Sequence, residues 1–180
     1  LTSKKSISKM ASSIQNLSSV VSKDVPSAKG MKMAIIRAEW NTKITSALAE
    51  GCRSFLIENG LVESDLDMVD VPGSFELPMG AKIVLGQEKY DAVICIGCVI
   101  RGETKHDEYI SNAVANSISQ LSILSSTPVI FGVLTPNNIE QAKDRSGGKH
   151  GNKGVEAAAT AIKMAALKKS KKQQKKSIGF

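Results

Sequence analysis

The stretch Gly97-Cys98-Val99-Ile100-Arg101-Gly102-Glu103-Thr104-Lys105-His106 joins an apolar run, Ala92 to Ile100, to a helical pattern through a short polar turn. That turn holds Gly102, the hydroxyl of Thr104 and one of only two histidines in the chain. A strand that passes through a turn into a helix start points free backbone N–H groups outward. Together with the helix dipole they favour an anion. An imidazole there can give and take protons near neutral pH. These residue types suit proton transfer beside a bound anion. Gly102-x-Thr104 is too short to be diagnostic, and it fits neither a P-loop nor a GxGxxG pattern. His106 could equally be a capping or solvated histidine.

Other candidates lie just past other apolar runs. Trp40, the single tryptophan, follows the first run directly and could stack on a flat heterocycle or serve as a core or interface residue. Ser74 and Glu76 suit a polyol, with a hydroxyl and a carboxylate, but they also read as a helix cap and first-turn acid. Arg145, beside the loop Ser146-Gly147-Gly148-Lys149-His150-Gly151, is either a second anion ligand or a helix-end cation. His150 in that loop is expected to be neutral to function. Cys95 and Cys98 form a C-x-x-C pair, yet they lie in a strand-like run where residues three apart face opposite ways. Buried free thiols are the reading, with no metal site.

The elements that must position these residues follow from hydrophobic period. Strands are expected over Met31–Arg37, Asp67–Val71, Ala92–Ile100 and Val129–Leu134. The third is apolar on both faces, as a central parallel strand is. A helix capped by Asn41 or Thr42 shows an apolar stripe at 44, 47, 48, 52, 55 and 56 and stops at Asn59-Gly60. A second runs from Ser74 to about Glu88 and a third begins near His106. A short one spans about Asn138 to Arg145, and the last runs from Asn152 to about Lys168. Strands alternating with helices at this spacing predict an α/β protein: a three-layer, flavodoxin-like sandwich on a four-stranded parallel sheet. Ligands of such a sheet bind outside the carboxyl ends of its strands, so the candidate residues should converge on one edge.

Length and charge set bounds. At 180 residues, with 42% hydrophobic and 23% charged, the chain suits one globular domain. Residues 1–30 carry five lysines and one acid, and 168–180 carry six lysines and no acid. The net charge of +7 therefore leaves 31–167 at −3. We read 1–30 as a mobile arm, 31–167 as the folded domain and 168–180 as a solvated Lys-rich tail. The body is not basic, so no nucleic-acid partner is expected. No apolar run approaches the roughly 20 residues of a membrane span, and no secretory block is evident. Three cysteines, an odd and low count, fit a reducing, cytoplasmic setting.

Five stretches in order, EWN at 39–41, PGSFELP at 72–78, GCVIRGETKH at 97–106, PVIFGVLT at 128–135 and DRSGGKHGNKGVEAA at 144–158, resemble the 6,7-dimethyl-8-ribityllumazine synthase family. The resemblance implies condensation of 5-amino-6-(D-ribitylamino)uracil with 3,4-dihydroxy-2-butanone 4-phosphate, a step of riboflavin biosynthesis, with no metal or cofactor. It implies that Trp40 stacks on the pyrimidine. Ser74, Phe75 and Glu76 hold the ribityl chain, and Cys98, Val99 and Ile100 present backbone groups to the uracil edge. Glu103 and Thr104 bind phosphate, and His106 transfers protons. Phe131, Arg145 and Lys153 come from the adjacent subunit of a pentamer, which in some members closes into a 60-subunit shell. Asp107 departs from the family's usual aromatic. A related riboflavin synthase, a flavin-binding module and a purely structural shell protein are the alternatives.

Overall fold

The computed structural model describes Ser18 and residues 23–177, with side chains through residue 171. Four parallel strands form the central sheet: β1 (Met33–Ala38), β2 (Leu66–Val71), β3 (Ala92–Cys98) and β4 (Val129–Leu134). Their order is β2-β1-β3-β4. The helices are α1 (Thr42–Glu58), α2 (Leu77–Gln87), α3 (His106–Ser125), α4 (Ile139–Asp144) and α5 (Lys153–Ser177). The expected three-layer α/β sandwich is the observed one.

The period-2 alternation of strand side chains divides the core. Met33, Ile35, Ile94 and Ile96 face one layer, where Leu48, Cys52 and Leu56 of α1 meet Ala158, Ala161 and Ile162 of α5. Ala34, Ile36, Val93 and Cys95 face the other, against Leu77 and Ala81 of α2 and Val114 and Ile118 of α3. All seven residues of β3 are buried, which is why that strand reads as a continuous apolar run. Cys95 and Cys98 fall in opposite layers, as period 2 demands, and all three cysteines are free thiols.

The chain leaves β1 toward β2 on one side and later leaves β3 toward β4 on the other. The direction of winding therefore reverses between β1 and β3. Their carboxyl ends diverge there and leave a crevice. Backbone bonds carry the ladder past the strand ends: Glu39 N–H donates to Val71 (2.8 Å), Val99 N–H to Leu134 (2.8 Å) and Arg101 N–H to Pro136 (2.9 Å). The loops over this edge are thus fixed by the sheet itself.

Several boundaries differ from those expected. β1 begins at Met33, and β3 ends at Cys98, two residues short of the expected Ile100. The second helical segment opens as a 3-10 turn, Ser74–Glu76, before α2, and Ser74 makes no capping bond. The expected 146–151 loop is a small hairpin of β5 (Ser146–Gly148) and β6 (Gly151–Asn152), with Gly147 and Gly151 at positive φ. The Lys-rich segment continues α5 to Ser177, and Lys169 pairs with Asp91 at 3.0 Å. The expected N-terminal arm falls mostly outside the described residues. Within them, Ala28 is fully buried, and Ser18 Oγ accepts from Asn152 N–H at 2.8 Å.

The start of α5 lies hard against α1. A Cβ at Gly154 would stand 1.8 Å from the Leu48 carbonyl oxygen, a backbone atom that cannot swing aside. Asn152 locks the same junction: its Nδ2 donates to Ala47 O at 2.9 Å, and its Oδ1 accepts from Gly154 N–H at 2.8 Å. Gly154→Ala is expected to destabilise the fold by about 2–3 kcal/mol through this overpacking. An unshifted urea midpoint in that variant would refute the contact.

Candidate functional site

A cleft of about 990 Å³ opens at the β1/β3 reversal. The first loop supplies Trp40 and Asn41, and the second supplies Ser74, Phe75 and Glu76. Strand β3 and its turn supply Cys98, Val99, Ile100, Gly102, Thr104 and His106. Nine of the residues expected at the site therefore meet here. Glu103 does not: it is exposed on the 101–105 turn and is not among the lining residues.

Local sequence explains the shape. Asn41 takes the left-handed conformation (φ 63°), which asparagine tolerates better than most residues. Its side chain does not cap α1. Instead Nδ2 donates to the Cys98 carbonyl at 2.9 Å, tying the first loop to the end of β3. Gly97 leaves room for the second loop, since a Cβ there would stand 2.6 Å from Ser74 Oγ. Trp40 and Tyr109 are each 73% exposed and Phe75 60%, so aromatic surface frames the opening. Aromatic surface left bare at the mouth of a crevice is suited to a flat ring. Ser74 Oγ is buried without a hydrogen-bond partner, an arrangement that costs energy unless a ligand or water supplies one. Burial pushes the Cys98 thiol up to about 11, so it is a neutral wall near pH 7 and not a nucleophile.

His106 begins α3 and is exposed. Its backbone N–H donates to Thr104 Oγ1 at 3.4 Å. Thr104 and the amides of the turn thus stand at the start of a 20-residue helix, where an anion is favoured. The same cleft is lined by Asp107, Tyr109, Ile110 and Ala113. None of these was singled out as a ligand in the sequence, although the i, i+3 spacing from His106 to Tyr109 marks a shared helix face.

A second cleft of about 550 Å³ lies by the end of β4 and shares no lining residue with the first. It brings Phe131, Arg145 and Lys153 together, with Thr135, Gln141 and His150 beside them. His150, set aside on sequence grounds, belongs to this lining because the β5–β6 hairpin folds back: its N–H donates to Asp144 O at 2.8 Å. Both cations are held by one acid that the sequence reading missed. Glu156, 7% exposed, lies 3.1 Å from Arg145 Nη2 through Oε1 and 3.1 Å from Lys153 Nζ through Oε2. The i, i+3 spacing of Lys153 and Glu156 was a visible signal.

The two clefts are chemically unlike. The first has aromatic walls, a histidine, a helix start and two carboxylates, Glu76 and Asp107, with no lysine or arginine among its lining residues. The second has an arginine and a lysine. Together with the doubly wound sheet, this defines a flavodoxin-like α/β protein with a cleft at the strand-order reversal, where such folds bind ligands. The chain belongs to the 6,7-dimethyl-8-ribityllumazine synthase family, whose pattern it matches over residues 30–169. It is 48% identical over 157 residues to the 6,7-dimethyl-8-ribityllumazine synthase of Cytophaga hutchinsonii, covering 87% of this chain and 98% of that one. It is 46% identical over 160 residues to that of Porphyromonas gingivalis, covering 89% and 99%. The match to that of Christiangramia forsetii is 46% over 164 residues, covering 91% and 98%.

Removing the Glu156 charge leaves two cations without their shared anion. Glu156→Gln is expected to cost about 1–3 kcal/mol of stability. Chemical denaturation checks this, and an unchanged midpoint would mean that Glu156 does not anchor the pair.

Proposed function

We propose that this protein is a transferase that condenses 5-amino-6-(D-ribitylamino)uracil with 3,4-dihydroxy-2-butanone 4-phosphate, giving 6,7-dimethyl-8-ribityllumazine, phosphate and water. Membership of the family supports the reaction. The division of the site into two clefts supports the arrangement and is the observation that carries it. The His106 cleft has no lysine or arginine in its lining, while Arg145 and Lys153 line the other. A phosphorylated substrate needs both. In our reading a second copy brings Phe131, Arg145 and Lys153 to the mouth of the first cleft, as in a pentamer. Exposed apolar side chains of α2 and α3, among them Met79, Ile83, Ile123 and Leu124, offer surface for such contacts. The short hairpin at 146–151, without an insertion, favours the 60-subunit shell. We place the reaction in the cytoplasm, where three free thiols are stable.

Within the site, Trp40 stacks on the pyrimidine and the backbone at Cys98, Val99 and Ile100 reads its edge. Ser74, Phe75 and Glu76 hold the ribityl chain, the unpartnered Ser74 hydroxyl gaining a hydrogen bond. Thr104 and the start of α3 hold the phosphate, with Arg145 and Lys153 closing over it. The pyrimidine's primary amine adds to the ketone and water leaves to form an imine. Loss of a proton from the hydroxyl-bearing carbon expels phosphate from its neighbour, the resulting enol tautomerises to a new ketone, and the ribityl-bearing nitrogen closes the ring on that ketone with loss of a second water. Each step moves protons, and His106, beside the phosphate end, gives and takes them. The cations and backbone donors stabilise charge on the departing phosphate. Much of the remaining acceleration comes from holding two reactants together.

The test follows lumazine formation by absorbance. His106→Ala is expected to slow turnover by about 10²-fold or less, the lower end of general acid–base contributions. Arg145→Ala should raise KM for the butanone phosphate. No acceleration by the unaltered protein would overturn the assignment. Offering the lumazine as substrate then separates a riboflavin synthase from a binding or shell protein. Subunits of His106→Ala and Arg145→Ala, unfolded and reassembled together, should regain part of the activity, because some interfaces then join two intact half-sites. No recovery would argue that each copy builds its own site.

A further inference from the structure

The first cleft contains a charge that works against its proposed ligand. Asp107 lines it beside Gly102, Thr104 and His106, and its Oδ1 accepts from the Gly102 N–H at 3.4 Å. Gly102 stands in open space: nothing lies within 4 Å of where its Cβ would be. The carboxylate has thus folded back onto a backbone donor of the very turn that offers donors to an anion. The other carboxylate of the lining is Glu76, on the second loop, and no lysine or arginine is among the lining residues. The cations that could do so, Arg145 and Lys153, line the other cleft, where Glu156 already shares its charge between them.

Resting on the reading above, we propose that Asp107 is the resident anion of the phosphate subsite and sets its affinity for the phosphate group. Its carboxylate accepts from the Gly102 amide at 3.4 Å. A phosphate that binds must displace it and then lies next to its negative charge. Affinity for the phosphorylated substrate is lowered, and affinity for the inorganic phosphate product is lowered with it. The benefit is release. A helix start, a hydroxyl and two cations would otherwise bind phosphate tightly enough to retard turnover, and a carboxylate that returns to the amide as phosphate leaves helps to empty the site. Asp107 also favours the α3 helix start as a first-turn acid. That structural role alone predicts a loss of stability on substitution and no gain in phosphate affinity, so the two roles differ in sign.

The experiment titrates the full-length protein with inorganic phosphate by calorimetry, and measures KM for each substrate, in Asp107→Asn and Asp107→Ala. The asparagine keeps an oxygen for the Gly102 amide and removes only the charge, so it serves if the alanine variant fails to fold. Phosphate should bind about 3- to 10-fold more tightly in Asp107→Asn, the size of one like charge removed at a partly solvated site. KM for the butanone phosphate should fall in parallel, and KM for the pyrimidine should stay within about twofold. Phosphate binding that is unchanged, weaker or undetectable in the variants overturns the proposal. If the unaltered protein forms no lumazine, the proposed reaction falls, while the phosphate titration still decides the role of Asp107.

Discussion

Pairing of β1 with β3, strand against strand from Met33–Ala92 to Arg37–Ile96, is the constraint on which the rest of this structure depends. Both strands are central and covered by helices on both faces, so apart from Arg37, which pairs with Asp70, their side chains are apolar, and their backbone groups pair with each other and with β2 and β4. Because the chain winds outward in opposite directions from this pair, no connection crosses its carboxyl end. The crevice there is a consequence of topology. Its walls are the loops that the chain must make on leaving β1 and β3, and these loops carry Trp40, Asn41 and the 97–106 turn.

Rigidity at the site comes from the backbone more than from side-chain networks. The ladder continues through Glu39, Val99 and Arg101 after the strands end, so the loops are extensions of the sheet. The bond from Asn41 to the Cys98 carbonyl joins the two walls across the reversal. Such bonds are short in reach and directional, and they hold a stacking ring and a hydrogen-bonding edge at fixed spacing. The side chains left over, Trp40, Phe75, Tyr109 and Ser74, are unusually exposed or unsatisfied for a protein that spends so much of its sequence on a packed core. That excess is what a ligand and a neighbouring copy would consume.

Charge is apportioned by the same economy. A lone cleft with two carboxylates and a histidine is a poor receptor for phosphate, and a lone cleft with Arg145 and Lys153 is a poor place for ring chemistry. Holding both cations against Glu156 limits the cost of placing two positive charges side by side. In the arrangement proposed above, assembly, and not folding, completes the reaction centre.

The four strands, the order of elements and the opposite facing of Cys95 and Cys98 were determined by local pattern alone, because hydrophobic period and turn residues act over a few positions. The edge on which Trp40, Ser74 and His106 meet followed from parallel topology, which alternation of strand and helix imposes. Tertiary structure decided what depends on contacts distant in sequence. It turned Asn41 from a helix cap into a tie to Cys98, across 57 positions, and it made Glu156 the shared partner of two cations. It folded 146–152 into a hairpin that carries His150 to the second cleft, and it divided the candidate residues between two clefts. Glu103 shows the limit from the other side: its place in a motif gave it a role, whereas the structure leaves it exposed on the turn and outside the cleft lining. A side chain's type is written in the sequence, while its direction and its partners are fixed only when strands far apart in the chain come to lie side by side.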